Sequence, residues 1–304
     1  MHTEITKTLN NYNLGKLKTY NLLTNGFANE NYRIETEKGV FLYRICKQQS
    51  LIGVSNEINF LQILKKAKFP VAYPLQRNDA KYIGQIKKSP VIIYEFIEGE
   101  IPKLNGKTVK EIGKAVAKLN LLGGHESFQN KHVINVENAI ELINQFDKAK
   151  YQYIDIYKDF SEAFNYLKDR LGKNLPKGFI HGDVFPDNTI FNGNRLMAII
   201  DFEMFCVDTL LFDVGMTING FCFENNRLDL RLLKSFLNAY ESVRALSKNE
   251  KMHLSDYILW TAVGMASWHL RNDMLNVKNE KQTARVKELL NRYKEVKNLN
   301  LKFT

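Results

Sequence analysis

The chain has 304 residues and a net charge of +10, with 44% hydrophobic and 25% charged residues, Gly 17 and Pro 6, a composition that excludes disorder and collagen-like structure at a length suggesting about two domains or lobes. Its longest apolar runs, Val91–Tyr94 and Met197–Ile200, fall far short of the roughly 18 residues that cross a bilayer, which excludes a membrane-spanning chain. Three cysteines, Cys46, Cys206 and Cys222, form no C-x-x-C pair and point neither to a disulfide framework nor to a cysteine zinc site.

In chain order, Met1–Lys7 is polar and carries an acid, unlike an export signal, so a reducing, cytoplasmic compartment is expected. Tyr20–Leu23 reads as a strand, Asn25–Asn29 as a turn, and Tyr32–Thr36 alternates like a half-buried strand. Glu37-Lys38-Gly39 turns the chain into Val40–Cys46, whose β-branched and aromatic residues suit a partner strand. Ser55 is placed to cap a helix carrying Ile58, Leu61 and Leu64 at helical spacing, ended by Phe69-Pro70. Residues 82–86 and 90–96 read as a second antiparallel pair.

The domain boundary is expected after residue 96, where an apolar strand runs into the acidic stretch Glu95–Glu100. Residues 1–96 then form a small sheet with one helix, and residues 97–304 a helical part. Amphipathic helices are predicted near 108–122, 136–148, 155–171, 227–241, 252–272 and 281–296. Short strand-like pieces interrupt them between Phe179 and Ile200. The fold class is therefore α+β. The basic surplus attracts anions generally, nucleotides and nucleic acid included. Its lysines, such as Lys65, Lys66 and Lys68, are scattered along helix-like segments, which favours solvated faces over a nucleic-acid groove.

The most informative stretch is Gly178–Phe191. It holds Asp183 and Asn188 five residues apart in a loop with Gly182 and Pro186, and Asp201 ends the apolar run Met197–Ile200 thirteen residues beyond Asn188. A magnesium–nucleotide complex takes oxygen ligands from few protein groups, which Asn188 and Asp201 can supply. Asp183 is then the group that accepts the proton of an attacking hydroxyl. Singly, each residue has a plainer reading: a turn residue, a turn terminator, a helix cap. The combined pattern H-G-D-x4-N, a hairpin and I-D-F favours the chemistry. His181 reads as a hydrogen-bonder that shapes the loop.

These motifs resemble the aminoglycoside phosphotransferase and choline kinase superfamily, over nearly the whole chain. The closest branch is the type II homoserine kinases, through Phe179–Asn188, Val207–Val214, Thr217–Asn219, Gly26–Tyr32 and Tyr240–Ser247. The resemblance implies a protein-kinase-like two-lobe fold, a small antiparallel-sheet lobe covering ATP and a larger helical lobe carrying the catalytic loop and acceptor site. It implies ATP and Mg2+ as cofactors and a small hydroxylated metabolite as substrate. L-homoserine is the first candidate, and an aminoglycoside, choline or another amino alcohol the alternative. A catalytically silent nucleotide-binding protein is the reading from a different class.

By the same resemblance, Asn25 and Gly26 lie in a turn over the phosphates, although a plain hairpin turn fits the sequence equally. Arg44 stands where the family's third strand presents a lysine, with Glu57 as its ion-pair partner; the plainer reading is a surface strand arginine, and Lys47 is a fallback on the opposite face. The backbone of the hinge, at Glu95 and Ile97, would meet adenine. Asp213 would brace the catalytic loop, and Trp260 and Trp268 would fill the helical core. Arg271 is the candidate for acceptor binding, against a surface arginine paired with Asp273 or Glu280.

Overall fold

Strand alternation in the first hundred residues becomes one antiparallel sheet. In a computed structural model describing residues 1–23, 29–128, 132–146, 154–275 and 280–303, with backbone alone at 273–275, the chain opens with α1 (His2–Leu9), β1 (Leu17–Leu23), β2 (Asn29–Thr36) and β3 (Gly39–Cys46). Next come α2 (Leu51–Lys66), β4 (Gly84–Ile86) and β5 (Ser89–Glu95). The spatial order is β1-β2-β3-β5-β4. Period-two alternation along β3 puts Tyr43 and Ile45 into an apolar cluster with Ile5 and Leu9 of α1. Arg44 therefore faces the other way, towards α2.

Two local expectations are corrected. The cap of α2 is Ser50, in an extended conformation with its Oγ accepting from Gly53 N at 3.2 Å, whereas Ser55 Oγ donates to Leu51 O inside the helix. The buried face of α2 includes Val54, so the helix starts a turn earlier than Ile58, Leu61 and Leu64 alone suggest. The helix α1 was not anticipated, since its apolar anchors are only Ile5 and Leu9.

Further along lie α3 (Gly106–Asn120), α4 (Val136–Phe146), α5 (Ile154–Leu167), β6 (Lys177–Ile180), β7 (Thr189–Asn192), β8 (Arg195–Ile199) and β9 (Cys206–Thr209). The remainder is α6 (Leu211–Phe221), β10 (Phe223–Glu224), β11 (Arg227–Leu228), α7 (Leu230–Glu241), α8 (Lys248–Leu275) and α9 (Glu280–Leu299). Asn105 and Thr108 cap α3 reciprocally, side chain to backbone in both directions.

The chain divides into two compact units, Met1–Glu100 with Thr189–Glu203, and Ile101–Asn188 with Met204–Thr304. The sheet unit thus extends to Glu100 instead of ending at residue 96, and it takes the β7–β8 hairpin from the part read as helical. Long-range pairing explains this: Val71 bridges Ile199, Glu100 bridges Phe191, and the Phe202 ring meets those of Phe60 and Phe69. In the helical unit α6 is buried along its whole length. Trp260 is buried as expected, while Trp268 is half-buried beside His269. The three cysteines are unbridged and buried. Among the described residues no helix is long and apolar enough to cross a membrane.

Candidate active site

In the helical unit, β6 and β9 pair antiparallel, with Ile180 opposite Cys206, and the H-G-D segment leaves from the end of β6. Gly182 has φ +85, and a Cβ there would sit 3.0 Å from Met204 O; glycine answers both constraints. Asp213, in the first turn of α6 and fully buried, accepts from His181 N at 2.8 Å and Gly182 N at 2.9 Å. Burial raises its pKa, against the lowering influence of His181 and the two amides. Asn120 Nδ2 reaches both Phe179 O, at 3.1 Å, and Asp213 Oδ2, at 3.5 Å. Tyr240 Oη donates to Asn120 Oδ1 at 2.9 Å and accepts from Arg244, which is itself paired with buried Glu250. Asp213 braces the loop backbone through this network, which is the contact the resemblance implied.

The brace aims two side chains. Asp183 N donates to His181 Nδ1 at 3.2 Å, so a neutral His181 ring carries its proton on Nε2, and the imidazole shapes the loop. Asn188 Nδ2 donates to Asp183 O at 2.9 Å and to Asp183 Oδ2 at 2.8 Å. That commitment occupies the Asn188 amide nitrogen, so Oδ1 is the atom of this side chain suited to a cation.

In the sheet unit, Arg44 is 6% and Glu57 2% exposed, with Nη1 3.7 Å from Glu57 Oε1. This burial rules out the surface-arginine reading. Arg44 Nε donates to Asn31 Oδ1 at 3.1 Å and the guanidinium lies 5.5 Å from the Tyr94 ring centroid. Burial lowers the Arg44 pKa, but Tyr94, Asp201, Glu57 and Glu203 outweigh it and the net direction is up. Glu57 is pushed up to about 7, chiefly by burial, with Arg44 opposing and Asp201 and Glu203 adding to the rise. Burial and Asp201 also raise Glu203, which accepts a hydrogen bond from Asn29 Nδ2. Glu203 was missed; its place two residues after Asp201, just past I-D-F, was the available signal.

Three carboxylates thus bear on one guanidinium, and Asp201 takes the left-handed φ of +66, a conformation that costs energy in a non-glycine residue. Among the described residues no three His, Cys, Asp or Glu side chains form a cage of their own. Mg2+ does not need one, because it keeps waters and phosphate oxygens and takes one or two protein oxygens. An oxygen-only donor set with surplus negative charge fits such a cation.

The other expected residues are distributed as follows. Lys47 pairs with Glu30 at 2.9 Å, away from Arg44. Of the two hinge positions expected to meet adenine, Glu95 has its amide committed to Tyr73 O at 3.0 Å, whereas the Ile97 amide has no backbone partner among the described residues. Asn25 and Gly26 lie outside the described residues. Arg271 Nη2 donates to Asn138 O at 3.0 Å and Glu141 Oε2 at 3.1 Å, so among the described residues it is paired with α4 instead of Glu280, and the Asp273 side chain lies outside those residues.

A family model described as "phosphotransferase enzyme family" matches residues 19–246. The chain belongs to this family. Among curated proteins it is similar to the homoserine kinase of Rhizobium meliloti (strain 1021), 28% identical over 251 residues, covering 81% of this chain and 77% of that one. It is also similar to the homoserine kinase of Nitrobacter winogradskyi, 30% identical over 257 residues, covering 83% and 78%. Among solved structures it resembles a microcompartment-associated aminopropanol kinase with a TM-score of 0.77 at 16% identity, covering 97% and 96%. An amicoumacin kinase in complex with AMP-PNP and Ca2+ superposes with a TM-score of 0.72 at 14% identity, covering 98% and 93%. The family-level reading of the motifs, a small-sheet unit with a helical unit in a phosphotransferase, therefore holds.

Proposed function

We propose that the protein transfers the γ-phosphate of ATP to the hydroxyl of a small metabolite in the cytoplasm, with L-homoserine as acceptor. The observation that carries this reading is the fixed Asp183 carboxylate, oriented by Asn188 on a loop that Asp213 holds from below. In this reaction Asp183 accepts the hydroxyl proton as the oxygen attacks phosphorus, Arg44 steadied by Glu57 contacts the phosphates, and Ile97 offers its backbone to adenine. Asn188 and Asp201 are the residues that would each offer an oxygen to Mg2+. When bound, the metal neutralises charge on the phosphate oxygens. The homoserine kinase relatives support the acceptor, and the buried thiols suit a reducing compartment.

The test is ATP consumption by the purified protein across hydroxylated amino acids, amino alcohols and aminoglycosides, with and without a chelator. Turnover is expected to be highest with L-homoserine and to vanish on chelation. Preferential turnover of aminopropanol or an aminoglycoside replaces the acceptor while keeping the kinase. ATP binding without turnover of any acceptor favours the silent nucleotide-binding protein.

Arg44→Ala is expected to weaken ATP binding much more than adenosine binding, since the lost cation serves the phosphates. In a double-mutant cycle with Glu57→Ala the two losses should be non-additive by roughly 0.5–3 kcal/mol, as for residues sharing one network. Additive losses would separate Glu57 from the phosphate contact.

A further inference from the structure

We propose that Arg285 binds the carboxylate of the acceptor and so makes the enzyme select hydroxylated amino acids over the corresponding amino alcohols. This deepens, and rests on, the reading of the Asp183 loop as a small-molecule kinase site.

The starting point is Phe185, two residues beyond Asp183 in the same loop and 3% exposed. Its backbone is fixed on both sides. Phe185 N donates to Asp183 O and Asn188 N donates to Phe185 O, each at 3.0 Å. Behind it, a Cβ on Gly220 of α6 would lie 2.8 Å from Val184 O and 3.1 Å from Phe185 Cα. The Arg285 guanidinium from α9 stacks on this ring, with Cζ 4.4 Å from the centroid. A rigid element of the Asp183 loop thus holds a cation in place, within one compact unit.

The cation has binding capacity to spare. Of the five N–H donors of a guanidinium, Arg285 commits one, Nη1 to Glu288 Oε2 at 2.7 Å. Its other donors have no partner among the described residues, and the side chain is 28% exposed. Glu288 is also shared, because its Oε1 takes a hydrogen bond from Arg292, a buried residue that also donates to Asn219 O. His269, hydrogen-bonded to Gln282, is held at about 4 by burial and by Arg285, and is uncharged at neutral pH. One carboxylate therefore serves two guanidiniums, and the cluster against Phe185 keeps one positive charge.

That surplus sets the class of acceptor. Choline, amino alcohols and aminoglycosides bring only positive charge to this cluster. An amino acid brings a planar carboxylate, which the free edge of a guanidinium receives with two parallel hydrogen bonds. Arg271, the candidate from sequence, has its Nη2 engaged with Asn138 and Glu141. Arg285 is the better-placed fork.

The experiment uses matched pairs of acceptors that differ by the carboxylate alone: L-homoserine and 3-aminopropan-1-ol, L-serine and ethanolamine, L-threonine and 1-aminopropan-2-ol. For the wild-type protein kcat/KM is expected to be higher for the acid of the preferred pair. Arg285→Met should lower kcat/KM for that acid by roughly 10- to 100-fold, through KM, while sparing the KM for ATP and largely closing the gap within the pair. Arg285→Lys should fall between, keeping charge without the fork. A wild-type preference for the amino alcohols overturns the inference and leaves the kinase reading intact, and it needs no variant. A preference for serine or threonine supports Arg285 and overturns homoserine as acceptor. An unchanged gap in a folded Arg285→Met protein, or turnover of no carboxylated member, overturns the inference.

Discussion

Asp183→Asn is expected to lower kcat by roughly 10²–10⁴ while leaving nucleotide affinity nearly unchanged, the range for removing a positioned general base. The substitution is close to isosteric, and the bond from Asn188 Nδ2 to the Asp183 carbonyl at 2.9 Å does not involve the side chain. His181 Nδ1 still accepts from the same backbone N–H. The loop therefore keeps its shape, and what disappears is the capacity to take a proton from the acceptor. Steady-state kinetics measure the loss, and calorimetric titration with a non-hydrolysable ATP analogue measures the retained affinity. Turnover close to that of the native chain would take the proton-accepting role away from Asp183.

Asp183 and Asn188 were legible in the sequence because their chemistry is local: a carboxylate and an amide five residues apart, joined by the turn they share. The strands of the first unit were legible for a similar reason, since alternation over Tyr32–Thr36 and Val40–Cys46 is a property of neighbours in the chain. Elements whose meaning lies in distant partners were not legible. The β7–β8 hairpin looks like part of the helical region until Ile199 pairs with Val71 and Phe191 with Glu100. Arg285 sits with Glu288 one turn apart on α9, a spacing that reads as a solvated charge pair; its significance comes from Phe185, a hundred positions earlier. Arg271 likewise has a partner, Glu141, that no helix-spacing argument could supply. Arg44 falls between these cases. Its position on β3 followed from alternation, whereas its burial and the crowding of Glu57, Asp201 and Glu203 around it are tertiary facts.

Asp213→Ala is expected to damage both stability and turnover, which distinguishes the brace from the reacting group. Removing this carboxylate orphans the buried N–H groups of His181 and Gly182, at about 1–3 kcal/mol each. A loss of roughly 2–6 kcal/mol is a large part of the 5–15 kcal/mol that holds a typical domain together. Asp213→Asn should cost less, since one oxygen remains to accept, but its NH2 then confronts one of the two backbone donors and the Asp183 loop still shifts. Asp183→Asn should instead lose turnover with little change in melting temperature. Asp213 also carries a pH signature. Burial raises the Asp213 pKa above its ordinary value of 3.8, so just above that value the native chain holds a proton that the unfolded chain has released. Stability contributed at this site therefore declines as pH rises through the interval and is level above it. Chemical denaturation of the native protein and Asp213→Asn from about pH 4 to 8 should show a steeper decline in the first, because the raised carboxyls of Glu57 and Glu203 contribute a decline to both; parallel profiles would mean that the Asp213 carboxylate enters the folded state with its ordinary affinity for protons.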